Sequence, residues 1–151
     1  MSYVDMLRKA EYFEGLSDDD LGLVDKICRE ESYDAGAVIF HEGDKAKNLY
    51  VVKEGRISIE IREAQTKPLL VRPVSAGGAF GWSALVKPHL FTAGAVCVEK
   101  TVVIVIDGGE MSNLCRTNTR FGVAVMENLA KLISSRLKDS REQLAIEKRP
   151  W

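Results

Sequence analysis

Residues 49 to 62 read Leu49-Tyr50-Val51-Val52-Lys53-Glu54-Gly55-Arg56-Ile57-Ser58-Ile59-Glu60-Ile61-Arg62, and the fold class follows from them. Ile57, Ile59 and Ile61 alternate with Ser58, Glu60 and Arg62, the two-residue repeat of a strand with one buried face. The run before it is rich in β-branched and aromatic residues, and Glu54-Gly55 supplies the turn between the two. The same pattern repeats outward. Val38-Ile39-Phe40, Leu69-Leu70-Val71, Phe91 to Val98 and Thr101 to Ile106 are further short runs, set apart by turn residues at Gly43-Asp44, Thr66-Lys67-Pro68 and Gly77-Gly78. Many short strands at regular intervals imply a small antiparallel barrel or jelly roll, which manages its edges by closing the sheet on itself.

Both flanks are helical in period. Val4, Leu7, Ala10, Tyr12 and Phe13 predict a first helix ended by Gly15. Ser17 with Asp20 caps a second, whose buried stripe is Leu21, Val24, Ile27 and Cys28. After Asp107, Met126, Leu129, Ile133, Leu137, Ser140 and Leu144 step by three and four, and Val125, Leu132 and Arg136 widen the stripe. A helix of about 25 residues would run about 37 Å, more than a small barrel needs as a lid. Such a stripe is expected to pair with a second copy, giving a homodimer. The expected layout is one domain over 1–151, α+β but mainly β, with N-terminal helices over 1–31, a β-barrel over 32–106 and C-terminal helices over 107–148.

The 151 residues are 46% apolar, which suits one globular domain. Lys+Arg 21 against Asp+Glu 22 argues against a general coat for nucleic acid or anionic membrane. The longest aliphatic run, Val102 to Ile106, is far short of the roughly 20 residues of a membrane span. Asp5, Arg8, Lys9 and Glu11 occupy the place of a signal's apolar stretch, so a cytoplasmic protein is expected. Cys28, Cys97 and Cys115 are odd in number and widely spaced, which predicts buried reduced thiols.

Several turn strings go further. Tyr33-x-x-Gly36, Ile39-Phe40-x-Glu42-Gly43-Asp44, Leu49-Tyr50-Val51-Val52-x-x-Gly55-x-Ile57 and Gly78-x-Phe80-Gly81 together resemble the cyclic-nucleotide-binding domain family, which includes bacterial catabolite activators and protein kinase A regulatory subunits. The resemblance covers about Phe13 to Leu137. It implies a double-stranded β-helix (jelly-roll) barrel flanked by N-terminal helices and a long C-terminal helix.

The resemblance also shows where this chain departs. The family's phosphate-binding cassette opens Phe-Gly-Glu and, about nine residues after the Glu, places an Arg followed by a small residue and Ala. The Glu accepts from the ribose 2′-hydroxyl and the Arg neutralises the cyclic phosphate. Here Phe80-Gly81-Trp82-Ser83-Ala84-Leu85 leads to Phe91-Thr92-Ala93, so Trp82 stands at the Glu position and Phe91 at the Arg position. Losing that cation removes a charge-assisted hydrogen bond worth roughly 1.5–3 kcal/mol, and usual cyclic-nucleotide binding is not expected. What remains for an anion is the backbone start of the short helix at Ser83 and the hydroxyls of Ser83 and Thr92. Lys87, before Pro88, is placed in a surface turn. Restoring Glu at 82 and Arg at 91 is expected to improve affinity if the pocket keeps its shape. The two rings either fill the barrel, making a structural dimerisation or interaction domain, or line a pocket for an apolar or aromatic ligand. Genuine cAMP or cGMP binding through atypical anchors is the further alternative. Candidate ligand-binding residues are Phe80, Gly81, Trp82, Ser83, Ala84, Leu85, Phe91 and Thr92. By resemblance, Ser140 on the long helix joins them.

Catalysis is not expected. His41 and His89 are too few for a metal-dependent barrel and read as solvated, and Cys97 has no basic neighbour in sequence, so no metal or cofactor is expected. The Phe91-Ala93-Ala95-Cys97 face is expected to look inward. The resemblance to catabolite activators ends before their winged helix-turn-helix, so direct contact with nucleic acid is not expected, and Lys131, Arg136, Lys138, Arg141, Lys148 and Arg149 read as a solvated face. The expected role is a regulatory module in signal transduction with a small-molecule effector and a possible protein partner, no membrane being involved.

Overall fold

A computed structural model describes residues 2–62 and 68–147. The expected turn at Thr66-Lys67 and the basic residues Lys148 and Arg149 lie outside them. The chain runs α1 (Val4–Lys9), a short 3-10 helix (Glu11–Phe13), α2 (Asp18–Asp25), β1 (Cys28–Tyr33), β2 (Val38–Phe40), β3 (Asn48–Glu54), β4 (Arg56–Arg62) and β5 (Pro68–Ser75). Then follow β6 (Ala79–Phe80), a 3-10 helix (Trp82–Leu85), β7 (Gly94–Cys97), β8 (Thr101–Asp107), α3 (Gly108–Thr117) and α4 (Thr119–Glu147). Two four-stranded antiparallel sheets, ordered β1-β8-β3-β6 and β2-β7-β4-β5, form the jelly roll.

The hairpin that decides the fold class is present, with Gly55 at φ +91° in its turn. A Cβ there would run into the backbone of Lys100 and Thr101, so glycine is needed for space as well as conformation. Ile57 is fully buried, while Ile59 and Ile61 are only partly so, because they face a cavity rather than packed core. β8 is buried from Val103 to Ile106, paired on both sides by β1 and β3. Leu7, Leu21, Val24 and Met111 join the same core from the helices.

Three boundaries differ from the sequence expectation. The first helix breaks at extended Ala10 (ψ 141°), so that adjacent Tyr12 and Phe13 both reach the core. Ser17 Oγ accepts from the Asp20 N–H at 3.2 Å as expected, but α2 ends at Asp25 and Cys28 already starts β1, before the barrel's expected start at Ser32. That strand is polar and held by its backbone ladder to β8, from Cys28 opposite Ile106 to Tyr33 opposite Thr101. β7 begins only at Gly94, leaving Phe91 in the preceding loop. The C-terminal region divides at Asn118 (φ −123°, ψ 83°) into α3 and the 29-residue α4.

α4 carries two apolar stripes where the sequence suggested one. Phe121, Val125, Leu129 and Leu132 are buried against the domain. Val123, Met126, Ala130, Ile133, Leu137, Ser140 and Leu144 recur at alternating intervals of three and four, a coiled-coil period. Val123 and Leu137 on this second stripe are 57% and 59% exposed. Among the described residues no helix is long and apolar enough to cross a membrane.

Candidate ligand-binding site

The cassette is built on an aromatic floor. Gly81 opens its 3-10 helix at φ +80°, where a Cβ would lie 2.7 Å from Tyr50 Cδ2. Tyr50 stacks on Phe80 with centroids 4.9 Å apart, and the Phe80 carbonyl accepts from Tyr12 Oη at 2.6 Å. Phe80, Gly81 and Ala84 are buried, so they shape the site from behind. The Ser83 carbonyl lies 3.2 Å from His89 Nδ1. His89 is thus half-buried against the cassette instead of solvated, whereas His41 is exposed beside Asp44 at 3.5 Å.

A cavity of about 560 Å³ opens between the barrel, the cassette and α4. Trp82, Thr92 and Ala93 line it from the cassette, Ile59, Ile61, Val71, Arg72 and Pro73 from β4 and β5, and Ile133, Arg136, Leu137, Asp139 and Ser140 from α4. Of the residues singled out from sequence, Trp82, Thr92 and Ser140 come together there. Phe91 does not. It is 6% exposed and lies flat on Phe40, centroids 3.6 Å apart, so the family's cation position is occupied by core packing. Leu85 and Lys87 line a separate groove of about 690 Å³ with His89, Cys115, Val123 and Met126.

Two arginines outside the candidate residues, Arg72 and Arg136, enter the cavity. Ile59 and Arg72 are directly paired across β4 and β5, which puts both on the cavity face. Arg72 Nη1 donates to Asp139 Oδ2 at 3.3 Å, and Arg136 Nη2 donates to both carboxylate oxygens of Glu11 at 2.9 and 3.0 Å. Burial, followed by the positive charge of Arg136, holds the Arg72 guanidinium below its ordinary pKa. The signal in the sequence was a cation within an apolar stripe. Arg136 follows Leu129 and Leu132 on the inward side of α4, where a solvated residue has no place.

The thiols stay outside this chemistry. Cys97 is buried, but Cys28 and Cys115 are half-buried rather than fully buried as expected. Burial raises all three, Cys28 to about 12. Among the described residues no cluster of His, Cys, Asp and Glu is arranged to hold a metal ion.

A family profile described as the cyclic nucleotide-binding domain matches residues 30–118. The cGMP-dependent protein kinase egl-4 of Caenorhabditis elegans is 27% identical over 94 residues, which are 62% of this chain and 12% of the kinase. The cyclic AMP receptor protein of Thermus thermophilus is 25% identical over 138 residues, 91% of this chain and 62% of the receptor. The chain therefore spans less than two thirds of either protein. Among solved structures, a Geobacter metallireducens protein described as cyclic nucleotide-binding superposes with a TM-score of 0.77 at 31% identity, covering 91% of this chain and 99% of that one. A cyclic nucleotide-binding domain from Methylobacillus flagellatus gives 0.82 at 15% identity over 99% and 86% of the two chains, a likeness of fold. With a matching profile over more than half its residues and the same jelly roll in these neighbours, the chain belongs to the cyclic nucleotide-binding domain family.

Proposed function

We propose that the chain is a non-catalytic ligand-sensing module in which a small molecule in the Trp82 cavity changes how α4 pairs with α4 of a second copy. Ordinary capture of a cyclic nucleotide is not part of this reading, because Trp82 and Phe91 replace both polar anchors of the cassette. One observation carries it. Ile133, Leu137 and Ser140 line the cavity and also fall on the exposed coiled-coil stripe of α4. A ligand touching them makes different contacts in the paired and unpaired helix, and differential contact is what shifts an equilibrium.

The test is a broad compound screen by thermal shift, with cAMP and cGMP included, followed by hydrogen exchange on each stabilising compound. Stabilisation with altered exchange across 125–145 supports sensing. Stabilisation with changes confined to the barrel strands would mean binding without signalling. The second reading, a structural dimerisation domain with a filled barrel, draws on the packing of Phe91 against Phe40. A screen in which nothing stabilises the protein would favour it.

A further inference from the structure

The cavity walls are unequal in chemistry. Ile59, Ile61, Trp82, Ile133 and Leu137 make an apolar wall, and Arg72 and Arg136 bring the charge that sits deepest. The side chains of Arg136 and Arg72 are 15% and 35% exposed, whereas Asp139 is 55% exposed and Glu142 lies at the open rim. Arg136 Nε is buried and, among the described residues, has no hydrogen-bond partner, a desolvated donor left without an acceptor. Glu11, which takes Arg136 Nη2, is not part of the cavity wall. Among the described residues, Asp139 alone reaches both guanidiniums from the cavity side, at 3.3 and 3.9 Å. A carboxylate that exposed loses little by turning to water, and its place between the arginines suits another anion.

We propose that the cavity takes a flat, mainly apolar molecule carrying one anionic group of the carboxylate kind, its ring against Trp82 and its anion on Arg136 and Arg72. This rests on the cavity being the ligand site. It assigns the anion to β5 and α4, across the cavity from the cassette, and explains how a site without the cassette Arg still accepts charge. The environment of Arg72 agrees, since burial first and the neighbouring Arg136 charge second disfavour its guanidinium, and an added anion offsets the second.

Titration calorimetry on the full chain with indole-3-acetate, indole-3-acetamide and cAMP tests the assignment. The acid is expected to bind about tenfold or more tightly than its neutral amide. Arg72→Gln and Arg136→Gln should each weaken the acid about tenfold or more and the amide by less, so that the preference is lost. Arg136→Gln also cuts the link to Glu11, so Arg72→Gln, whose partner is the exposed Asp139, carries the test if the first variant melts early. Equal binding of acid and amide overturns the anion assignment while leaving a ligand cavity. Absence of binding by both indoles overturns it as well, and the sensing role then stands or falls on the compound screen alone. Low-micromolar cAMP binding that weakens in both variants would keep the arginine pair as the anion site but overturn the apolar carboxylate as its ligand.

Discussion

The ring of Phe91 lies parallel to the ring of Phe40, with centroids 3.6 Å apart and planes 6° from parallel. Phe40 in turn leans on Tyr50 and Phe80, at 5.9 and 6.1 Å, so the loop before β7 is tied to the floor of the cassette by four rings. A cation at position 91 has no solvent to enter.

Rebuilding the family's anchors is therefore expected to fail. Trp82→Glu with Phe91→Arg is expected to lower stability by about 3–5 kcal/mol, the range for losing a buried aromatic side chain or burying an unpaired charge. Chemical denaturation reads the loss and calorimetry reads the nucleotide. The packing of Phe91 on Phe40 bears on the condition attached to the cassette expectation, that the pocket keeps its shape when Glu and Arg are restored. A folded double variant binding cAMP about tenfold tighter than wild type would contradict the packing argument.

For the wild-type chain, cAMP and cGMP are expected to bind no more tightly than high micromolar, about −5 to −6 kcal/mol. A low-micromolar isotherm with either nucleotide would show that the cavity replaces the missing anchors.

The two stripes of α4 differ in burial. Leu137 is 59% exposed and Leu132 only 3%. If the outer stripe is the seam, the wild type is a dimer by light scattering at micromolar concentration, and Leu137→Asp is a folded monomer. Leu132→Asp places its charge in the core and should melt the domain instead. A monomeric wild type removes the seam.

Alkaline stability has a defined sign. Burial, with the Asp25 carboxylate adding to it, pushes the Cys28 thiol to about 12, whereas an unfolded thiol titrates near 8.5. The folded state holds this proton more tightly, so the contribution is complete below about pH 8.5 and is lost as pH rises toward about 12. Urea midpoints should fall between about pH 8 and about pH 11, and less steeply in Cys28→Ala. Buried Tyr12 and half-buried Tyr33, both raised, keep part of the slope in the variant. Equal slopes would remove Cys28 from the account.

The barrel was legible wherever one face of a strand was apolar, as in Ile57, Ile59 and Ile61. β1 was not, since Cys28-Arg29-Glu30-Glu31-Ser32-Tyr33 carries no alternation and owes its form to the β8 ladder. β6, two residues long, is too short to have a period. On α4 the inward and outward stripes sit side by side, and their intervals of three and four merge in one dimension. Trp82 was found through its cassette string. Arg72 escaped because its relation to Arg136 crosses 64 residues and shows only once β5 and α4 share a wall.

Tyr12 holds both ends of a strut. Its hydroxyl donates to the Phe80 carbonyl at 2.6 Å, and its own carbonyl accepts from Asn128 Nδ2 at 3.0 Å. One phenol ring thus gauges the gap between the start of the cassette and the first half of α4. The N-terminal segment therefore clasps α4 at two levels, Tyr12 and Glu14 at Asn128 and Glu11 at Arg136, so a shift of α4 relative to the cassette has to break these contacts or carry them with it.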